Sequence, residues 1–125
     1  MDITIVIISY NSSDLVKNYI KNLSKKIPIL VIENSRDKNL KDYLEKNYKK
    51  VKVLIPKKNL GYGASIKQGV RMARGKYMFI QFSDTEYDHR VSLKMFRISE
   101  KYNADAVFGS RLKNMSLKQK LISKI

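Results

Sequence analysis

The sequence has no cysteine and a single histidine, His89. The first absence excludes a disulfide framework and a thiolate metal site, and the second a zinc centre built from several imidazoles. No apolar run approaches the roughly 18 to 20 residues that span a bilayer. The opening "MDITIVIISYN" has an acid where a secretory leader carries its basic region, so no leader is expected. Acids are scarce too, 11 against 26 Lys and Arg, for a formal net charge of +15. Such an imbalance raises the question of a nucleic-acid or anionic-membrane partner. Lys greatly outnumbers Arg, however, and the lysines are scattered over predicted helix faces. No recognition-helix or aromatic-strand motif accompanies them, so no nucleic-acid partner is expected. The composition is compatible with a reducing cytoplasm.

What is present is an ordinary globular composition, 43% hydrophobic and 30% charged over 125 residues, enough for one domain with a real core. Periodicity alternates along the chain. Apolar β-branched runs at 2–9, 28–33, 51–55, 76–82 and 104–110 predict five strands. Between them lie four helical patterns. Val16, Tyr19, Ile20 and Leu23 follow Ser12 or Ser13 as N-cap, and Leu40, Tyr43 and Leu44 share a face within 38–48. Ile66, Val70 and Ala73 precede Gly75, and Val91, Met95, Ile98 and Tyr102 form the last set. Strands alternating with helices predict an α/β fold: an open, mostly parallel sheet with right-handed crossovers and helices on both faces.

In such a sheet ligands bind outside the carboxyl ends of the strands. Those ends carry "YNSS" (10–13), "ENSRD" (33–37), "PKKNLGYG" (56–63), "SDTEYD" (83–88) and "GSR" (109–111), while the amino-end loops look plainer. No G-x-G-x-x-G follows the first strand and no G-x-x-x-x-G-K-[ST] occurs, so neither nucleotide fingerprint applies. Asp84 and Glu86 stand two apart just past a strand end, where an extended backbone sends both carboxylates to one side. Two hard oxygen ligands suit Mg²⁺ or Mn²⁺ completed by water and substrate phosphates. The same acids also fit a solvated loop capping the next helix. Spacing leaves both readings open.

Taken together, these loops resemble the nucleotide-sugar half of family 2 glycosyltransferases, which have the GT-A fold. "IVIISYN" resembles the opening strand and its Tyr-Asn turn, and "LVIENSRD" is similar to the Val-Asp-Asp/Asn-Gly-Ser segment. "NLGYGASIKQGVRMARGKYMFIQFSD" follows the family's run into its acidic motif; "DTEYD" and "DAVFGSR" look most like the branch that moves sugars onto polyprenyl phosphates. The resemblance implies a glycosyltransferase that uses a nucleoside-diphosphate sugar, a divalent metal and an acceptor of lipid-phosphate type at the inner membrane face. Tyr10 and Asn11 would lie by the nucleotide, with Glu33 in the place of the base-contacting Asp and Ser35 and Asp37 lining the pocket. Asn59, Gly61 and Gly63 would let the third loop approach the nucleotide, and Lys67 would contact a phosphate. Asp84 and Glu86 would bind the metal, and Arg111, assisted by Lys113, would meet the acceptor phosphate.

The chain departs from the family pattern at Phe82, which stands where the acidic motif's first Asp belongs and can ligate nothing. The base that activates the acceptor is expected in a carboxyl-terminal half absent here, so no catalytic residue is assigned. Residues 1–112 are expected to form the nucleotide-sugar domain, and the basic tail 113–125 to begin the missing acceptor region. The rival expectation is a degenerate module that binds nucleotide without catalysis.

Overall fold

The computed structural model describes residues 2–23, 25–83 and 90–107. The chain divides into two compact units, Met1–Ser92 and Leu93–Ile125. The boundary expected after residue 112 lies outside the described residues.

In the first unit, strands β1 (Ile3–Ser9), β2 (Ile29–Glu33), β3 (Val51–Leu54) and β4 (Tyr77–Phe82) form one parallel sheet in the order β3-β2-β1-β4. The two central strands are buried at every residue, which is why their sequences are continuous Ile/Val/Leu runs and not alternating ones. β3, at an edge, alternates: Val51 and Val53 are buried and Lys52 is exposed.

Helices α1 (Ser13–Lys21) and α2 (Lys38–Asn47) cover one face and α3 (Gly61–Met72) the other. Ile7 of β1 lines a cavity together with Val16 and Tyr19 of α1, and the Lys17 ammonium lies 4.5 Å from the Tyr43 ring centre, joining α1 to α2. Leu40 and Leu44 are buried as expected, whereas Tyr43 stays half open beside that cation. The opposite face offers Val6, Leu30 and Ile32, with Ala73 and Met78 packed against them.

α3 does not bury the face that its large residues mark. Its buried residues are Ser65 and Gly69, and Val70 is 56% exposed. A Cβ at Gly69 would stand 2.7 Å from Val6 Cγ1. Small residues at i and i+4 let the helix lie close on the central strands, and the bulky Ile66–Val70 side is left aside.

α4 (Arg90–Tyr102) forms where the sequence predicts it. Its buried positions are Ser92, Phe96 and Ser99, while Ile98 and Tyr102 are exposed, so its covered face is rotated from the one expected. The fifth strand, expected over 104–110, does not form in the part described. Asn103 leaves α4 with φ 47°, the Ala104 N–H bonds back to the Ser99 carbonyl at 3.0 Å, and residues 104–107 are not in a strand. Left-handed exit and backward bond are how a helix satisfies its last carbonyls. Residues 108–110 lie outside the described residues.

The strand order reverses between β1 and β4. A topological switch point of this kind opens a crevice beyond the carboxyl ends. Its walls begin at Ser9–Asn11 on one side and Phe82–Ser83 on the other, and the Ser83 N–H bonds to the Ile8 carbonyl at 3.0 Å.

Candidate functional site

Three loops meet at the carboxyl ends of β1, β2 and β3, and one carboxylate organises the first two. Glu33 ends β2 and is fully buried. Its Oε2 accepts from the Ser35 hydroxyl at 2.6 Å and from the Asp37 N–H at 2.8 Å. The Ser35 Oγ in turn accepts from the Asn11 N–H at 2.9 Å, so a chain of bonds runs from the β1 turn to the β2 carboxylate. Asn11 and Arg36 take φ of 50° and 63°, conformations that tighten both turns around it. The other oxygen, Oε1, is buried with no hydrogen-bond partner among the described residues. So is the hydroxyl of Ser9, the register partner of Glu33 across the β1–β2 ladder.

Asp37 closes the loop. It caps α2, accepting from the Leu40 N–H at 3.0 Å, and also accepts from the Ser13 hydroxyl of α1. The Ser13 bond first, and the Leu40 N–H second, hold its carboxyl below the ordinary 3.8. Because the folded value is depressed, this stabilisation is complete above the unfolded pKa and disappears as pH falls through the folded one. Asp37→Ala is expected to cost about 1 kcal/mol near neutrality. Urea denaturation should show the gap between wild type and variant narrowing as pH falls through and below the ordinary carboxylate range; a gap that stays constant there would contradict this account.

The third loop is tied to the second by Asn34. Its Nδ2 donates to the Ser65 Oγ at 2.8 Å, and its Oδ1 accepts from the Leu60 N–H at 3.4 Å. Asn59 accepts from the Gly61 N–H at 2.9 Å, and Gly61 needs glycine for its φ of 72°. Gly63 has open space around it, so the fold does not demand glycine there. Lys67 is exposed, nearly two turns into α3.

On the far side of the crevice, Phe82 packs against Tyr62 in an edge-to-face pair with ring centres 5.0 Å apart. An apolar contact thus fills the place that the resemblance gives to a carboxylate. A cavity of about 120 Å³ beneath α1, lined by Leu15, Asn18, Tyr19 and Gln81 among others, has room for only a few waters and reaches the crevice wall at Phe82 and Ser83.

The structure therefore gathers Tyr10, Asn11, Glu33, Ser35, Asp37, Asn59 and Gly61 along one rim. Tyr10 is 53% exposed there. Asp84, Glu86 and Arg111 lie outside the described residues, and among the described residues no group of three acidic or histidine side chains clusters. Sequence reasoning missed Ser9 and Ser65, and gave Ser13 and Asn34 only a place in the rim loops without a partner. Serines this ordinary give no local signal; only strand pairing shows what they face.

The family model described as "Glycosyl transferase family 2" matches residues 4–119. Among solved structures, the crystal structure of S. aureus TarS 1-349 matches with a TM-score of 0.65 and 19% identity. The alignment covers 90% of this chain and 40% of that one, so the chain spans well under half the length of the protein it resembles. No curated protein matches in the sequence comparison.

Proposed function

Because the chain belongs to glycosyl transferase family 2, we propose that its carboxyl-end rim binds the nucleotide of a nucleoside-diphosphate sugar and presents the sugar for transfer to an acceptor oxygen. The observation that carries this reading is the Oε1 of Glu33, unpartnered among the described residues. A buried acceptor without a donor is costly, and a ligand N–H relieves that cost. Uracil and guanine each offer a ring N–H that a carboxylate can accept. The Tyr10–Ser12 turn stands over this corner, tied to it by the Asn11–Ser35 bond. That turn would shift to admit the base.

Asn34 and Asn59 hold the β3–α3 loop so that its backbone approaches the nucleotide, and Lys67 supplies a cation for its phosphates. The acceptor oxygen attacks the anomeric carbon as the sugar–diphosphate bond breaks, and the configuration inverts. Asp84 and Glu86 would hold a divalent cation, whose chemistry there is to neutralise the departing diphosphate.

Calorimetric titration of UDP- and GDP-sugars, with and without Mn²⁺, tests the proposal. Metal-strengthened binding that Asp84→Ala reduces to the metal-free level is the expected result. Binding indifferent to metal would favour the rival reading, a nucleotide-binding module without transfer chemistry, which Phe82 supports. No binding of either donor would overturn both.

A further inference from the structure

The amino-end connections look plain in sequence, but the topology stacks two of them. The α1–β2 and α2–β3 links turn at the amino ends of neighbouring strands. Residues 21–29 and 46–52 together hold seven lysines and no acid. Lys25 and Lys50 line one shallow dimple with Tyr48, floored by Ile20, Leu23 and Ile27. The Lys25 ammonium stands 5.9 Å from the Tyr48 ring centre, and Lys26 and Lys49 flank this pair on the exposed surface.

The helix dipoles account for only part of this charge. Lys21 and Lys46 sit in the last turns of α1 and α2, where they complement the helix dipoles. Two helix ends carry about one negative charge in total. Seven lysines far exceed that. The excess is costly in self-repulsion unless an anionic partner meets it.

We propose that this edge seats the protein on an anionic lipid surface. Every cation in these two segments is a lysine, a point charge suited to a diffuse layer of headgroups, and none is an arginine with the planar fork that reads phosphates individually. Tyr48 adds an amphipathic ring of the kind found at membrane interfaces. The edge lies at the other end of the strands from the rim, about 20 Å away for a seven-residue strand. A docked molecule therefore opens its rim to water, from which a nucleotide donor arrives. The inference does not depend on what the rim binds.

Co-sedimentation of the full chain with vesicles tests it, one set of neutral phosphatidylcholine and one with a third phosphatidylglycerol. Binding to the anionic vesicles alone, weakened by salt, is expected. Each lysine near the surface is worth about fivefold in partitioning, so the Lys25→Glu, Lys26→Glu, Lys49→Glu, Lys50→Glu variant should lose more than about a hundredfold. The corresponding glutamine variant should lose less, with the same circular dichroism as wild type. Reversal of Lys57 and Lys58, on the rim, should change partitioning far less. Equal loss from the rim pair, no preference for anionic vesicles, or capture by duplex DNA in place of vesicles would each overturn the proposal.

Discussion

Gly69→Leu is expected to lower the melting temperature by about 10 °C or more, the largest stability effect of any single substitution proposed for this chain. A Cβ at this position already stands 2.7 Å from Val6 Cγ1, and Val6 is fully buried in the central strand. A β-branched side chain there has little freedom to turn away. An added isobutyl group must therefore lift α3 off the sheet, at about 3 kcal/mol or more. Gly69→Ala separates two opposing terms. Alanine gains about 1 kcal/mol in helix propensity over glycine, and the overlap with Val6 costs about 1 to 3 kcal/mol, so a small net loss is expected. Adding Val6→Ala should rescue part of the Gly69→Leu defect, because it removes the atoms that collide. Strictly additive losses in the double variant would show that the two residues do not press on each other.

The second large effect concerns ligand affinity. Glu33→Gln keeps the shape of the side chain, and its remaining carbonyl oxygen can accept from Ser35 and Asp37 as Oε2 does. The new amide nitrogen replaces an oxygen that has no partner among the described residues, on the register partner of Ser9, whose hydroxyl also lacks one there. Stability should therefore change little, by about 1 kcal/mol at most. Nucleotide affinity should fall about tenfold to a hundredfold, since a donor now faces the ligand N–H where a charged acceptor stood. Glu33→Ala should lose both affinity and about 3 kcal/mol of stability, because Ser35 and the Asp37 N–H lose their acceptor. Titration calorimetry and thermal melts on the two variants decide the matter. Unchanged affinity in the glutamine variant would reduce Glu33 to a structural role.

Much of the rim was legible in the sequence because a parallel sheet sends all its strand ends the same way. Once "DITIVIIS", "PILVIE" and "VKVLI" read as strands joined by helices, the loops after them had to share an edge. Asn59 and Gly61 were visible as turn residues for the same local reason. The buried face of α3 was not, because periodicity weights bulky residues and the packing there selects small ones. Ser65 and Gly69 carry no hydrophobic signal, and their role appears only when Val6 lies beneath them. α4 shows a related shift: Phe96, flanked by Ser92 and Ser99, is covered where the set at 91, 95, 98 and 102 was expected.

The sequence by itself determined the alternation of strands and helices, the direction of the sheet and the chemistry available at its carboxyl edge. Each of these follows from residues within a few positions of one another, where side-chain periodicity and backbone preference act. Tertiary structure decided that Glu33 is sealed under the Ser35 and Asp37 loop with one oxygen unmet, that Phe82 lies on Tyr62, and that lysines distant in the chain crowd one amino-end edge. Those outcomes depend on strand order, β3-β2-β1-β4, which brings together segments that no local pattern connects.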